Sequence, residues 1–288
     1  MRNRRFAAVL VPLLAIALTA GCAGEAGSSG TAAKDKPADP KAALAASTQQ
    51  LKAGNYTFKA TIPGGTVADG VVHLPSRSAA LNTTATVDGS EAKIQMLVVE
   101  PDRYTKMKID LGDNKDLKDI QEYAQSDDPT MRKLAEQFSA LFDMFSGKYW
   151  MRVDTSKVTS KELQLGLDNP DLTGAGAILS HATTAQQNGS VITGTVDASQ
   201  ADSASQLLSS SLFEGADVTA LPYEATLDDQ GRLSKLVLDV PKTKDTVAGE
   251  YTLTVADYGS ATAQAAPPKS ETKEATDQMY DMMNKYSK

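Results

Sequence analysis

One cysteine and two histidines are all the thiol and imidazole chemistry that this 288-residue chain carries. Cys22 has no second cysteine to pair with, so an internal disulfide is excluded and the thiol is left for modification. His73 and His181 fall in separate predicted strands. A zinc ion takes three or four close ligands, and neither a His-Glu-x-x-His pair nor a cysteine cluster is present. No Gly-x-Ser-x-Gly elbow occurs. The dipeptides Ser160-Lys161 and Ser234-Lys235 do not have Ser-x-x-Lys spacing. No phosphate loop or dinucleotide fingerprint follows a strand. The acids Asp127-Asp128, Asp228-Asp229 and Asp110, Asp113, Asp116 and Asp119 lack the glycine and glutamate that a calcium loop places at fixed positions, so turn and helix-cap duty explains them better. With no convergent reactive set, catalytic residues, a metal and a cofactor are not expected. Binding or carriage outranks catalysis.

The residues before Cys22 give its thiol a setting. Arg2, Arg4 and Arg5 form a positive start, and Phe6 to Leu18 is an apolar run broken only by Pro12. At about thirteen residues it is too short for a membrane span, which needs roughly 20. It ends in Leu18-Thr19-Ala20-Gly21-Cys22, which looks like the lipobox of a bacterial lipoprotein precursor. Residues 1–21 then read as a signal peptide, with Sec and twin-arginine export both open, and Cys22 as a diacylglyceryl cysteine carrying palmitate-class chains. Two chains give a stable anchor where one gives a marginal one, at about 0.8 kcal/mol per buried CH₂. The expected location is the extracytoplasmic face of the cell membrane.

Removing residues 1–21 lowers Lys plus Arg from 29 to 26 against 36 acids, a net charge of about −10. That argues against nucleic acid, or a bare anionic lipid surface, as a partner. Residues 22–39 are mostly Gly, Ser, Ala, Lys and Asp without periodicity and read as a flexible tether.

The folded part begins at Asp39-Pro40, an N-cap followed by proline at the first helical position, and one short helix runs to Gly54. From Asn55 the period switches to two. Strands are predicted over Tyr56–Ile62, Val67–Leu74, Ala79–Val87, Glu91–Val99 and Arg103–Lys108, with tight turns between them, as in an antiparallel meander. Asp128-Pro129 repeats the cap-plus-proline signal. Met131, Leu134, Phe138, Leu141, Phe142 and Phe145 then lie on one stripe of a helix of about four turns. Three of the six phenylalanines sit there. Gly147 to Asp154 reads as a strand carrying the only tryptophan. Helices are expected over Ser156–Leu167, from Asn169-Pro170 to Leu179, and over Ser199–Ser211. Strands resume at His181–Gln187, turn at Asn188-Gly189, and continue through Val191–Asp197, Ala220–Leu227, Leu233–Val240 and Gly249–Tyr258, about eleven in all. Ala261–Pro268 is extended. Ser270–Tyr286 is read as a helix with Met279, Met282, Met283 and Tyr286 on one face, suited to an irregular apolar surface.

This order of elements, the Gly-Lys-Tyr-Trp-Met-Arg-Val-Asp strand entry after the mid-chain helix, the Asp-x-x-Gly-Arg-Leu turn and the closing Asp257-Tyr258-Gly259 resemble the LppX/LprG-type lipoproteins of actinobacteria, which are related in fold to the carrier LolA. The resemblance spans residues 40–268 and leaves the Met-rich stretch 269–288 outside it. It implies an α+β fold: a strongly curved antiparallel sheet, a half-barrel, closed by helices around a hydrophobic cavity. It also implies lipid or glycolipid binding and transport, with no catalytic residues to carry over. Met131, Leu134, Phe138, Leu141, Phe142 and Phe145 are then the candidate cavity lining. A sixteen-carbon chain gains on the order of 12 kcal/mol on leaving water, but it leaves a bilayer, so loading is nearly balanced and reversible. The expected partners are the membrane, through Cys22, an acylated ligand, and a membrane transporter or envelope protein. The alternative is a non-enzymatic envelope scaffold that docks a partner through the C-terminal helix.

Overall fold

Period-two alternation of apolar and polar residues runs through most of the chain and builds one sheet of twelve strands. The computed structural model describes residues 39–87, 89–109, 126–133, 135, 145–159, 166–200, 207–208, 210–213, 215–243 and 247–285. The strands are β1 (Asn55–Ile62), β2 (Thr66–His73), β3 (Ser78–Val87), β4 (Ser90–Val99), β5 (Asp102–Ile109), β6 (Trp150–Arg152), β7 (Ala182–Asn188), β8 (Val191–Val196), β9 (Leu221–Leu227), β10 (Leu233–Val240), β11 (Gly249–Ala256) and β12 (Thr272–Glu274). Their spatial order is β12-β6-β5-β4-β3-β2-β1-β11-β10-β9-β8-β7. Two meanders thus meet where β1 pairs antiparallel with β11, in the register Phe58↔Val255 and Ala60↔Leu253. Among the described residues the sheet ends at β7 and β12 and does not close into a barrel.

All eleven expected strands are present, and the twelfth lies inside the stretch read as a C-terminal helix. The fold is α+β, with few helices; those whose full bounds are described are α1 (Pro40–Ser47), α2 (Gln49–Lys52), α3 (Ala175–Ser180) and α4 (Asp277–Lys285). Several helix expectations need correction. The first helix breaks at Thr48 because the Ser47 and Thr48 hydroxyls donate back to the Leu44 and Ala45 carbonyls at 2.7 and 3.2 Å, competing with the helical ladder. Asn169 to Leu179 is helical only from Ala175. Its first half is a loop wound around the buried Asp171 carboxylate, and Gly174 sits at φ 73°, outside the helical region. After Asp154 caps a tight turn over Thr155–Lys157, Val158 is extended, so no helix runs on through Val158 and Thr159. In Ser199–Ser211 the described parts are tight turns at Ala198–Gln200 and Ser210–Phe213. The predicted strand Gly147–Asp154 shortens to Trp150–Arg152.

One face of the sheet carries the core. Tyr56, Phe58, Ala60, Val72, Leu236, Leu238, Tyr251 and Leu253 are buried there. Over them lie Leu44 and Leu51 of α1 and α2, Ile178 and Leu179 of α3, and Leu207, Leu208, Leu212 and Phe213. The rings need backbone space. In the row Phe58↔Gly70↔Leu81, a Cβ on Gly70 would collide with the Phe58 ring and the Ala80 carbonyl. Gly70→Ala should therefore destabilise by about 1–3 kcal/mol, read as a lower urea midpoint with an unchanged slope.

Burial also shapes the response to alkali. Desolvation pushes the Tyr223 hydroxyl up to about 12, and pushes Tyr56, Tyr251 and Tyr258 up as well, with nearby carboxylates adding to the last three. The fold holds each phenol neutral, while the unfolded chain releases these protons near the ordinary value of about 10. Stability from these groups is therefore complete below pH 10 and lost as pH rises through the folded values. Urea midpoints should stay flat from pH 8 to 9.5 and fall above about pH 10, and Tyr223→Phe should shallow that fall.

Candidate functional site

The inner face of the sheet divides into two regions. Across β1, β2 and β8–β11 it is packed by α1–α3 and by the chain near 207–218. Across β3–β5 the same face continues as apolar rows set by register: Leu81↔Met96↔Thr105, Thr83↔Ile94↔Met107 and Ala85↔Ala92↔Ile109. Leu81 is still buried in the main core, and the side chains beyond it are less covered. Ile94 is 39% exposed, one of two exposed large hydrophobic residues among those described. Met96, Met107 and Ile109 are half-buried.

The mid-chain helix is described in part. Residues 129–133 and 135 are helical, started by Asp128, whose carboxylate accepts the Thr130 N–H at 2.7 Å. Of the predicted stripe, Met131 and Phe145 are described, and both are half-buried. Phe145 packs with Met107, Met151, Met279 and Ala275 in a small second core. Leu134, Phe138, Leu141, Phe142 and the lipidation candidate Cys22 lie outside the described residues. Sequence reasoning missed Ile94, Met96, Met107 and Met151. Their signal was the alternation Ala92, Ile94, Met96, Val98, but period two marks two faces without saying which one is inside.

The C-terminal segment closes the β6 edge. Thr272, Lys273 and Glu274 pair parallel with Trp150, Met151 and Arg152, and Arg152 donates to Asp102 at 2.6 Å and to Glu274 at 3.2 Å. The tail is thus a tight turn over Lys269–Glu271, a strand and then α4, which corrects the single helix expected over Ser270–Tyr286. A short strand wins at 272–274 because β6 presents an open edge there. In α4, Met279 and Tyr280 are buried against the rest of the chain. The Tyr280 hydroxyl accepts the Asp154 N–H at 2.8 Å, and the Asn284 carbonyl accepts the Thr159 N–H at 2.8 Å.

His73, Asp228 and Asp171 serve local structure, whereas Asp110, Asp113, Asp116, Asp119 and Ser160-Lys161 lie outside the described residues. His73 Nδ1 accepts the Ser76 N–H at 3.2 Å. Asp228 accepts the N–H groups of Gln230 and Arg232, both at 2.9 Å, and an Arg232 guanidinium N–H at 2.7 Å; these bonds hold its carboxyl below the usual range against the opposing effect of burial. Asp171 is buried and accepts from the N–H groups of Thr173, Gly174 and Gly176 at 2.8–3.1 Å. Among the described residues no group of three or more His, Cys, Asp or Glu could hold a metal ion, and no helix is long and apolar enough to cross a membrane. The site offers apolar surface. No protein-family profile matches this chain, and no curated protein matches it.

The α4 contacts predict a local rather than a global response. Tyr280→Phe removes one bond to a main-chain N–H, worth about 1 kcal/mol, and Met279→Ala removes the side chain that spans Met151 and Phe145. Hydrogen exchange over 277–285 should accelerate roughly five-fold in Tyr280→Phe and more in Met279→Ala, while amides of β9–β11 keep their protection.

Proposed function

We propose that this protein is a lipoprotein anchored through Cys22 on the extracytoplasmic face of the cell membrane, and that it binds and carries a lipid, glycolipid or other hydrophobic ligand. The cavity of this reading lies between the inner face of β3–β5 and the helix that begins at Pro129, with the sheet curved around it as a half-barrel. Curling is one way for an open sheet of more than about ten strands to hold together, and this sheet has twelve.

The observation that carries the reading is the contrast along one face. Where α1–α3 cover it, side chains are buried almost completely. Two strands further on, Ile94 remains 39% exposed in a row with Met107. An isoleucine left half in water forgoes part of its burial energy of about 1.5–3 kcal/mol, and an acyl chain laid along Ile94, Met96 and Met107 recovers it. Methionine suits such a surface because its thioether adapts to chains of different shape. The resemblance to the LppX/LprG type and the lipobox point the same way.

The alternative of an envelope scaffold docking through the C-terminal helix is less favoured, because Met279 and Tyr280 are already engaged within the chain. A direct test uses the full chain carrying Cys22→Ser, so that bound and covalent lipid are not confused. Solvent extraction followed by mass spectrometry should release lipid from it, and a fluorescent sixteen-carbon fatty acid should bind. Ile94→Lys should reduce both at least ten-fold with circular dichroism unchanged. No extractable lipid and no fatty-acid binding would overturn the proposal.

A further inference from the structure

The outer face of the same sheet carries a second feature that lipid carriage does not use. One cross-strand row runs Asp69 (β2), Asn82 (β3), Gln95 (β4) and Lys106 (β5), and Trp150 of β6 continues it, with the Lys106 ammonium 5.7 Å from its ring centre. The carboxamides are chained: Gln95 donates to the Asn82 carbonyl at 3.2 Å, and Asn82 donates to Asp69 at 2.9 Å. Above this row the extended stretch Ala261–Pro268 crosses the sheet, held where the Ala261 N–H donates to Asn55 and the Gln264 N–H donates to Ser78, both at 2.9 Å. Between the stretch and the sheet lies a groove of about 350 Å³, floored by Asn82, Gln95, Leu97 and Trp150 and walled by Gln264–Pro268.

We infer that this outer groove is a saccharide-binding site. Three features converge on that ligand class. Carboxamides present a donor and an acceptor side by side, which matches vicinal hydroxyls, and the chain of bonds orients the Asn82 and Gln95 amides along the row. Among the described residues the Gln95 side-chain carbonyl accepts no bond and the main-chain groups of Ala265 and Ala266 have no partner, so floor and wall keep polar capacity open. Trp150 and the prolines supply the flat apolar surface that the C–H face of a pyranose covers. The volume is at the lower end for small-ligand sites, and Lys106 is the one basic side chain in this row, too little for a polyanion. The lining carries the side-chain amides of Asn82, Gln95 and Gln264, so an acyl chain would bury their open donor and acceptor positions. This inference does not rest on the lipid reading, because the groove and the apolar rows lie on opposite faces of the sheet.

Trp150 is the only tryptophan, so its fluorescence reports on this groove alone. The full chain should be titrated with trisaccharides of glucose, mannose, galactose and N-acetylglucosamine. At least one should give a saturable change in the millimolar range. Asn82→Ala and Gln95→Ala should each weaken that binding about ten-fold without moving the urea midpoint, and Trp150→Ala should abolish retention on a column bearing the same sugar. No saturable change with any of the four sugars, or binding that survives both amide substitutions, would overturn the assignment. Lipid extraction from the same preparations separates the outcomes: loss of sugar binding with lipid retained, or the reverse, falls on one reading only.

Discussion

The pairing of β1 with β11 is the constraint on which the rest of the structure depends. It joins strands whose paired residues, such as Lys59 and Thr254, are 195 positions apart. Without it there are two meanders, each with a bare edge and an apolar face too narrow to bury. With it, the Phe58↔Val255 and Ala60↔Leu253 pairs make one continuous inner face, and α1, α2 and α3 have a common floor to pack on. Closing so long a loop costs conformational entropy that local contacts cannot offset. The compensation is the buried seam itself, where Phe58, Ala60, Leu253 and Val255 are nearly inaccessible.

That seam also explains why the inner face is used unevenly. Helices delivered from the N-terminus and from the 166–180 connection reach the strands beside the seam and fill the face there. The strands on the β3–β5 side lie farther away, and their apolar rows stay partly open. A domain that must hold itself together without disulfides commits its best packing to one region. It can then leave another region adaptable, lined by methionine and isoleucine. The buried Asp171 belongs to the rigid region: its carboxylate gathers three main-chain N–H groups, so the loop before α3 is held as firmly as a helix would be.

The C-terminal segment ties the opposite edge. After β11 the chain crosses the outer face, adds β12 to β6, and passes to the inner side, where Met279 meets Met151 and Phe145. One segment thereby roofs the outer groove and seals the end of the inner face. The sheet edge that would otherwise present unpaired N–H and C=O groups is covered by its own chain. The outer groove exists because Ala261–Pro268, rich in alanine and proline, stays extended and cannot lie flat as another strand.

The strand inventory was legible in the residues because alternation is a nearest-neighbour property: successive side chains on a strand point to opposite sides, whatever the strand packs against. The turns at Asn188-Gly189 and Asp228 to Gly231 were legible for the same local reason. Within the described residues, the helices expected from Ser156, from Asn169-Pro170 and over 270–286 were over-read, because Asp154, Asp171 and an open β6 edge offered the backbone better partners than a helical ladder. Composition and spacing by themselves determined eleven of the strands, the acidic charge and the lone thiol. Only the tertiary structure decided which face is inside, that Ile94 and Met107 share an open row, and that Trp150 closes an amide ladder beneath the tail. Those facts depend on register between strands far apart in the chain, and register is set by burial summed over the whole sheet.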